Sequence, residues 1–186
     1  MKKILSSFKE SAAELKNVRC LTVTGILTAM FIVLDICSIN IGGFIKLNFN
    51  FLAVASVGML FGPIPAAISA AAGDLIGCII SGSSPIPLLT CTGALSGLIY
   101  GVCLYKRDGV RLAVFSVISR VIDSIVVSFV LNTAILMYSG FMSRTGAQLY
   151  ARSIVVLIQI AVFMLITPPV MLAIKNIYTK TAKHLP

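Results

Sequence analysis

The chain has 186 residues, 58% of them hydrophobic and only 11% charged, with a mean hydropathy of +1.03. A soluble domain carries about a quarter charged residues, so this composition excludes a water-solvated globule and requires a solvent that is largely lipid. Net charge is +9, but the bases sit at the ends of apolar runs and not on one aromatic-laced face, which excludes nucleic acid as a partner.

In chain order, Lys2, Lys3, Lys9, Lys16 and Arg19 precede the first apolar run. Residues 1–20 hold two acids and no apolar stretch of the length a signal peptide needs. A helix needs about 20 apolar residues to cross the hydrocarbon core. Candidate spans are 21–40, 47–61, 64–81, 88–105, 112–137 and 150–175. Lipid offers no partners for backbone polar groups, and barrel alternation is missing, so the spans are helices. The expectation is an all-α membrane protein: a six-transmembrane-helix bundle forming a single domain over 1–186. Six spans put both termini on one side. Eleven of the fifteen Lys and Arg fall on that side, in the N-terminal segment, at 106–111 and in the tail, so the N- and C-termini are expected in the cytoplasm. The opposite loops are then 41–46, 82–87 and 138–149, where ligand contacts are expected.

Few polar residues lie inside the spans. Asp74 interrupts a stretch that is uncharged from Leu47 to Gly73 and is turned by Gly62, Pro63 and Pro65. At about 1.5 Å per residue, Asp74 lies ~16 Å, Arg120 ~13 Å and Asp123 ~18 Å from the cytoplasmic ends of their spans. An ion pair of Arg120 with Asp74 or with Asp123 would neutralise charge that lipid cannot solvate, as a structural or site-supporting contact. Asp35, Asn132 and Arg152 sit towards the outer ends, where they could line a pocket. The planar fork of Arg152 suits a carboxylate, and Asn132 has the donor and acceptor that a heterocycle edge needs. Asn48, Tyr138, Arg144 and Tyr150 stand at the same mouth and complete the candidate substrate-binding set. Lys46, in the same stretch, reads as an interfacial snorkelling residue.

Gly25 and Ala29 form a small-x-x-x-small pair of the kind that lets membrane helices approach closely. The five cysteines form no C-x-x-C, and the only His is His184, so no metal site is expected. No nucleophile elbow, H-E-x-x-H, P-loop or Gly-rich nucleotide fingerprint occurs, so the chain reads as a non-enzyme. Active transport by it would draw on an ion gradient or a partner protein.

An ordered set of short motifs resembles the substrate-binding S components of energy-coupling factor (ECF) vitamin transporters, and their folate-type branch in particular. The set is Lys46–Leu47–Asn48–Phe49–Asn50–Phe51–Leu52, Gly58–Met59–Leu60–Phe61–Gly62–Pro63, Gly73–Asp74–Leu75–Ile76–Gly77, Leu95–Ser96–Gly97–Leu98–Ile99–Tyr100–Gly101, Leu131–Asn132–Thr133 and Tyr138–Ser139–Gly140. Arg152 falls where that branch has an Arg entering its last helix. Two features depart from the branch: 85–90 reads Pro-Ile-Pro-Leu-Leu-Thr, and no Trp follows Asn132–Thr133. The resemblance implies capture of folate or a related heterocyclic vitamin from outside. It implies partnership with a transmembrane coupling protein and two cytoplasmic ATPase subunits, which use the ATP, and no cofactor in this chain. It also implies that Gly25 and Ala29 dock the coupling protein. Alternatives are an S component for a different vitamin or a pyrimidine and, from another class, a membrane-embedded enzyme using Asp74 and Asp123, or an assembly subunit.

Overall fold

The computed structural model describes residues 2–41, 45–82, 87–138 and 146–184. A short helix α1 (Lys2–Glu14) leads into α2 (Val18–Ile36). The Asn17 side chain starts α2 by accepting from the Arg19 backbone N–H at 3.1 Å. A two-stranded antiparallel ribbon follows, β1 (Ile39–Ile41) with β2 (Ile45–Leu47), in the register Ile39 to Leu47. Then come α3 (Phe51–Phe61), α4 (Pro63–Ile80), α5 (Pro87–Leu104) and α6 (Gly109–Ile122). A π-helical segment (Asp123–Leu131) continues α6 without a break into α7 (Asn132–Tyr138), and α8 (Gly146–His184) closes the chain.

The corner between α3 and α4 follows from its residues. Gly62 has φ +92°, a left-handed conformation that a side chain would strain, and Pro63 supplies a first helical residue that needs no N–H. Ser11 of α1 clamps this corner: its hydroxyl donates to the Phe61 carbonyl at 2.9 Å and accepts from the Ile64 N–H at 3.1 Å.

Small residues set the core spacing. A Cβ added at Gly101 of α5 would lie 2.2 Å from the Pro63 Cα, and one at Gly97 2.5 Å from the Ala66 carbonyl oxygen. A Cβ at Gly58 of α3 would lie 2.8 Å from the Gly101 nitrogen. Backbone-to-backbone approach of this kind replaces the hydrophobic effect as the force between helices in lipid. Large apolar side chains point outward instead, Leu165, Val18 and Ile79 among them, as a lipid-solvated surface requires.

Among the described residues, five helices are long and apolar enough to cross a membrane: Val18–Ile36, Pro63–Ile80, Pro87–Leu104, Gly109–Ile135 and Val156–Lys180. This corrects the expected bundle of six transmembrane helices. The stretch read as a span over 47–61 is helical only over Phe51–Phe61, 11 residues, or about 16 Å against a core of about 30 Å. Its first residues are spent otherwise: Leu47 pairs in the ribbon, and Asn48 and Asn50 turn to Asp35. The placement of the N- and C-termini in the cytoplasm relied on that even count and falls with it.

The basic segments nevertheless gather at one end. Lys106 pairs with Glu10, Lys175 with Asp108, and the Arg19 guanidinium lies 5.5 Å from the Tyr178 ring centre. The Glu10 carboxylate holds the exposed Lys106 ammonium above its ordinary pKa.

Candidate functional site

A cavity of about 580 Å³ opens inside the bundle, away from the basic end, and its wall takes residues from α2, α3, α4, α5, α6, the π-helical segment, α7 and α8. Its size is that of a site for one small organic molecule. The polar groups on its wall form three clusters.

The deepest cluster centres on Arg120. Its Nη1 donates to Asp123 Oδ2 at 2.9 Å and to the Tyr100 hydroxyl at 3.0 Å. The Tyr100 hydroxyl donates to Asp123 Oδ2 at 3.0 Å, and Ser96 Oγ donates to the other carboxylate oxygen. The guanidinium lies against the touching rings of Phe51, at 4.0 Å from its centre, and Phe163, at 4.8 Å. Only 7% of the Arg120 side chain and 5% of the Asp123 side chain are exposed. Charges so buried persist only when paired and hydrogen-bonded. Here the pair lies along one helix, at i and i+3, and α5 supplies the two hydroxyls.

The second cluster joins Thr92 of α5 to Asn132, with the hydroxyl 2.7 Å from the amide oxygen. Its geometry depends on the π-helical segment. Nine residues of α-helix make two and a half turns, which would put Asn132 on the face opposite Asp123. The wider i to i+5 winding over 123–131 covers nine residues in about two turns. Asp123, Val127 and Asn132 therefore all line the cavity.

The third cluster is at the mouth. Asn48 Nδ2 and Asn50 Nδ2 both donate to Asp35 Oδ1, at 2.6 and 3.2 Å, and the Asn50 backbone N–H is held by Asn48 Oδ1 at 3.2 Å. Asp74 stands on the neighbouring wall and accepts from Thr90 Oγ1 at 2.7 Å.

The structure thus brings Asp35, Asn48, Asp74, Arg120, Asp123 and Asn132 to one cavity. Arg120 takes Asp123 as its carboxylate, and Asp74 turns to Thr90. Tyr138 ends α7, and Tyr150 and Arg152 lie in the first turns of α8, but their side chains are outside the described residues, as is Arg144 entirely. The loops at 42–44, 83–86 and 139–145 are outside them too. Gly25 and Ala29 are exposed on α2 and contribute nothing to the cavity wall. Among the described residues no three His, Cys, Asp or Glu group as metal ligands. Thr90, Thr92, Ser96 and Tyr100 were missed by sequence reasoning. Thr92, Ser96 and Tyr100 recur at i, i+4 and i+8, one face of a helix, and that polar stripe in an apolar run was the available signal.

Residues 15–176 match the family model described as "ECF-type riboflavin transporter, S component". The chain belongs to the ECF S-component family. It is a transport subunit and not an enzyme, and a multi-pass protein of the bacterial cell membrane. The folate transporter FolT of Clostridium novyi (strain NT) is 33% identical to this S component over 91 residues, 48% of this chain. The match spans 51% of that relative, about half its length. A solved structure described as FolT bound with folic acid has the same fold, with a TM-score of 0.72 at 22% identity, covering 81% of this chain and 91% of that one. The family description thus speaks of riboflavin, while these two relatives speak of folate.

Proposed function

We propose that this S component captures folate or a closely related heterocyclic vitamin for ATP-driven uptake. The observation that carries the reading is the cavity itself: about 580 Å³ inside an apolar bundle, walled by Phe31, Phe51 and Phe163 and by three clusters of hydrogen-bonding groups. A flat, polar-edged ring needs that combination of apolar wall and placed polar groups. Both FolT relatives support folate as the occupant.

In this reading Asp35, Asn48 and Asn132 contact the ring, with Tyr138 and Tyr150 beside it. Arg152 and Arg144 meet the acidic tail of the ligand. Arg120 and Asp123 fix the floor. The partners are a transmembrane coupling protein and two ATPase subunits, which hydrolyse the ATP, so this chain needs no cofactor. Gly25 and Ala29 lie on a face of α2 open to such a partner: a Cβ at Gly25 would meet nothing within 4 Å.

Purification without added vitamin, followed by mass spectrometry of the released small molecules, tests the reading. A folate is expected. Release of riboflavin in its place, the ligand of the family description, would favour the second reading. Arg152→Ala is expected to weaken folic acid binding by about tenfold or more, the worth of a charge-assisted hydrogen bond, with the fold intact. Unchanged affinity would remove Arg152 from the site.

A further inference from the structure

The three carboxylates of the cavity differ in how much acceptor capacity the protein already uses. Asp123 accepts from Ser96, Tyr100 and Arg120. Asp35 accepts two side-chain amides at one oxygen. Asp74 accepts only from Thr90 among the described residues, through Oδ2, and stays part-exposed on the cavity wall. An ionised carboxylate has about four acceptor sites, so Asp74 holds the largest unspent acceptor capacity in the site. The wall therefore offers an acceptor from α4 to whatever fills the space.

We propose that Asp74 is the residue that sets ligand class, by accepting the N–H edge of an amino-substituted heterocycle and rejecting an imide. The inference rests on the folate reading above and deepens it. The 2-amino-4-oxo ring of folate carries two adjacent donors, the exocyclic amine and the ring N–H. Two parallel N–H donors meeting one carboxylate repeat the fork geometry of an Arg–carboxylate pair. An imide edge, as in the flavin ring, alternates carbonyl, N–H and carbonyl. Against Asp74 it would set a carbonyl oxygen beside a carboxylate oxygen, with neither paired and both out of water. Discrimination by such a mismatch is stronger than discrimination by shape.

The test compares pterin with lumazine, the same bicycle with the amine replaced by a carbonyl, alongside folic acid and riboflavin. Each is titrated calorimetrically into the purified full chain and into Asp74→Asn. The wild type is expected to bind folic acid, and to prefer pterin to lumazine by at least about 100-fold. In Asp74→Asn the amide can donate to a carbonyl, and the preference is expected to fall below about tenfold. Folic acid binding with a wild-type preference below about threefold overturns the inference, whether or not the variant folds. So does an unchanged preference in a folded Asp74→Asn. Failure of wild type to bind folic acid while riboflavin binds overturns the folate reading itself, and this inference with it.

Discussion

Helices α5 and α2 both carry small residues, and they use them in opposite ways. On α5, Gly97 and Gly101 meet the backbone of Ala66 and Pro63 so closely that no Cβ fits. On α2, Gly25 has nothing within 4 Å and Ala29 is exposed, among bulky neighbours such as Leu21, Ile26 and Val33 that face lipid. The same residue type marks a helix contact already made within the fold in one place and an unoccupied face in the other. Sequence spacing does not separate the two cases; the surroundings do.

Substitutions on the two helices are the way to break or sharpen this contrast. The largest effect is expected at Gly101. Gly101→Val must displace backbone and not a flexible side chain, at a cost of about 3 kcal/mol or more, and should leave little folded protein on size-exclusion chromatography. Next is the polar knot that α5 helps to close. Arg120→Ala leaves the Asp123 carboxylate buried without its cation, at a cost of about 3–5 kcal/mol. The double variant Arg120→Met with Asp123→Leu is expected to melt higher than Arg120→Ala, because no charge is left buried alone. Gly25→Leu is expected to sit at the other extreme. The thermal midpoint of the isolated protein and its ligand affinity should stay near wild type, within about 0.5 kcal/mol, while uptake by cells carrying the whole transporter is lost. Uptake that survives Gly25→Leu would show that this face of α2 is not used for docking. Smallest of all is Lys106→Ala. The exposed pair with Glu10 is screened by water, and no change in melting is expected outside error.

Much of the architecture was legible in the apolar runs. Four of the six candidate spans, 21–40, 64–81, 88–105 and 112–137, correspond closely to long helices, and 150–175 falls within α8. The misreading at 47–61 has a local cause. Asn48 and Asn50 look like polar interruptions near a helix start, and nothing in their order tells that they bond Asp35 and so delay the helix to Phe51. The site was legible in part. Depth along each helix put Asp74, Arg120 and Asp123 at one level, but depth carries no azimuth. The i, i+3 relation of Arg120 to Asp123 was the better guide to the partner. Azimuth also explains why the second cluster was hidden. On α-helical spacing Asp123 and Asn132 face opposite ways, and only the π-helical winding between them brings both to the cavity.

The cavity of this S component is proposed to hold a folate. A competition titration of the purified wild-type chain with folic acid and riboflavin tests it most directly. Saturable one-to-one binding of folic acid that a tenfold excess of riboflavin does not displace is expected. Tight binding of riboflavin that folic acid fails to compete would contradict it.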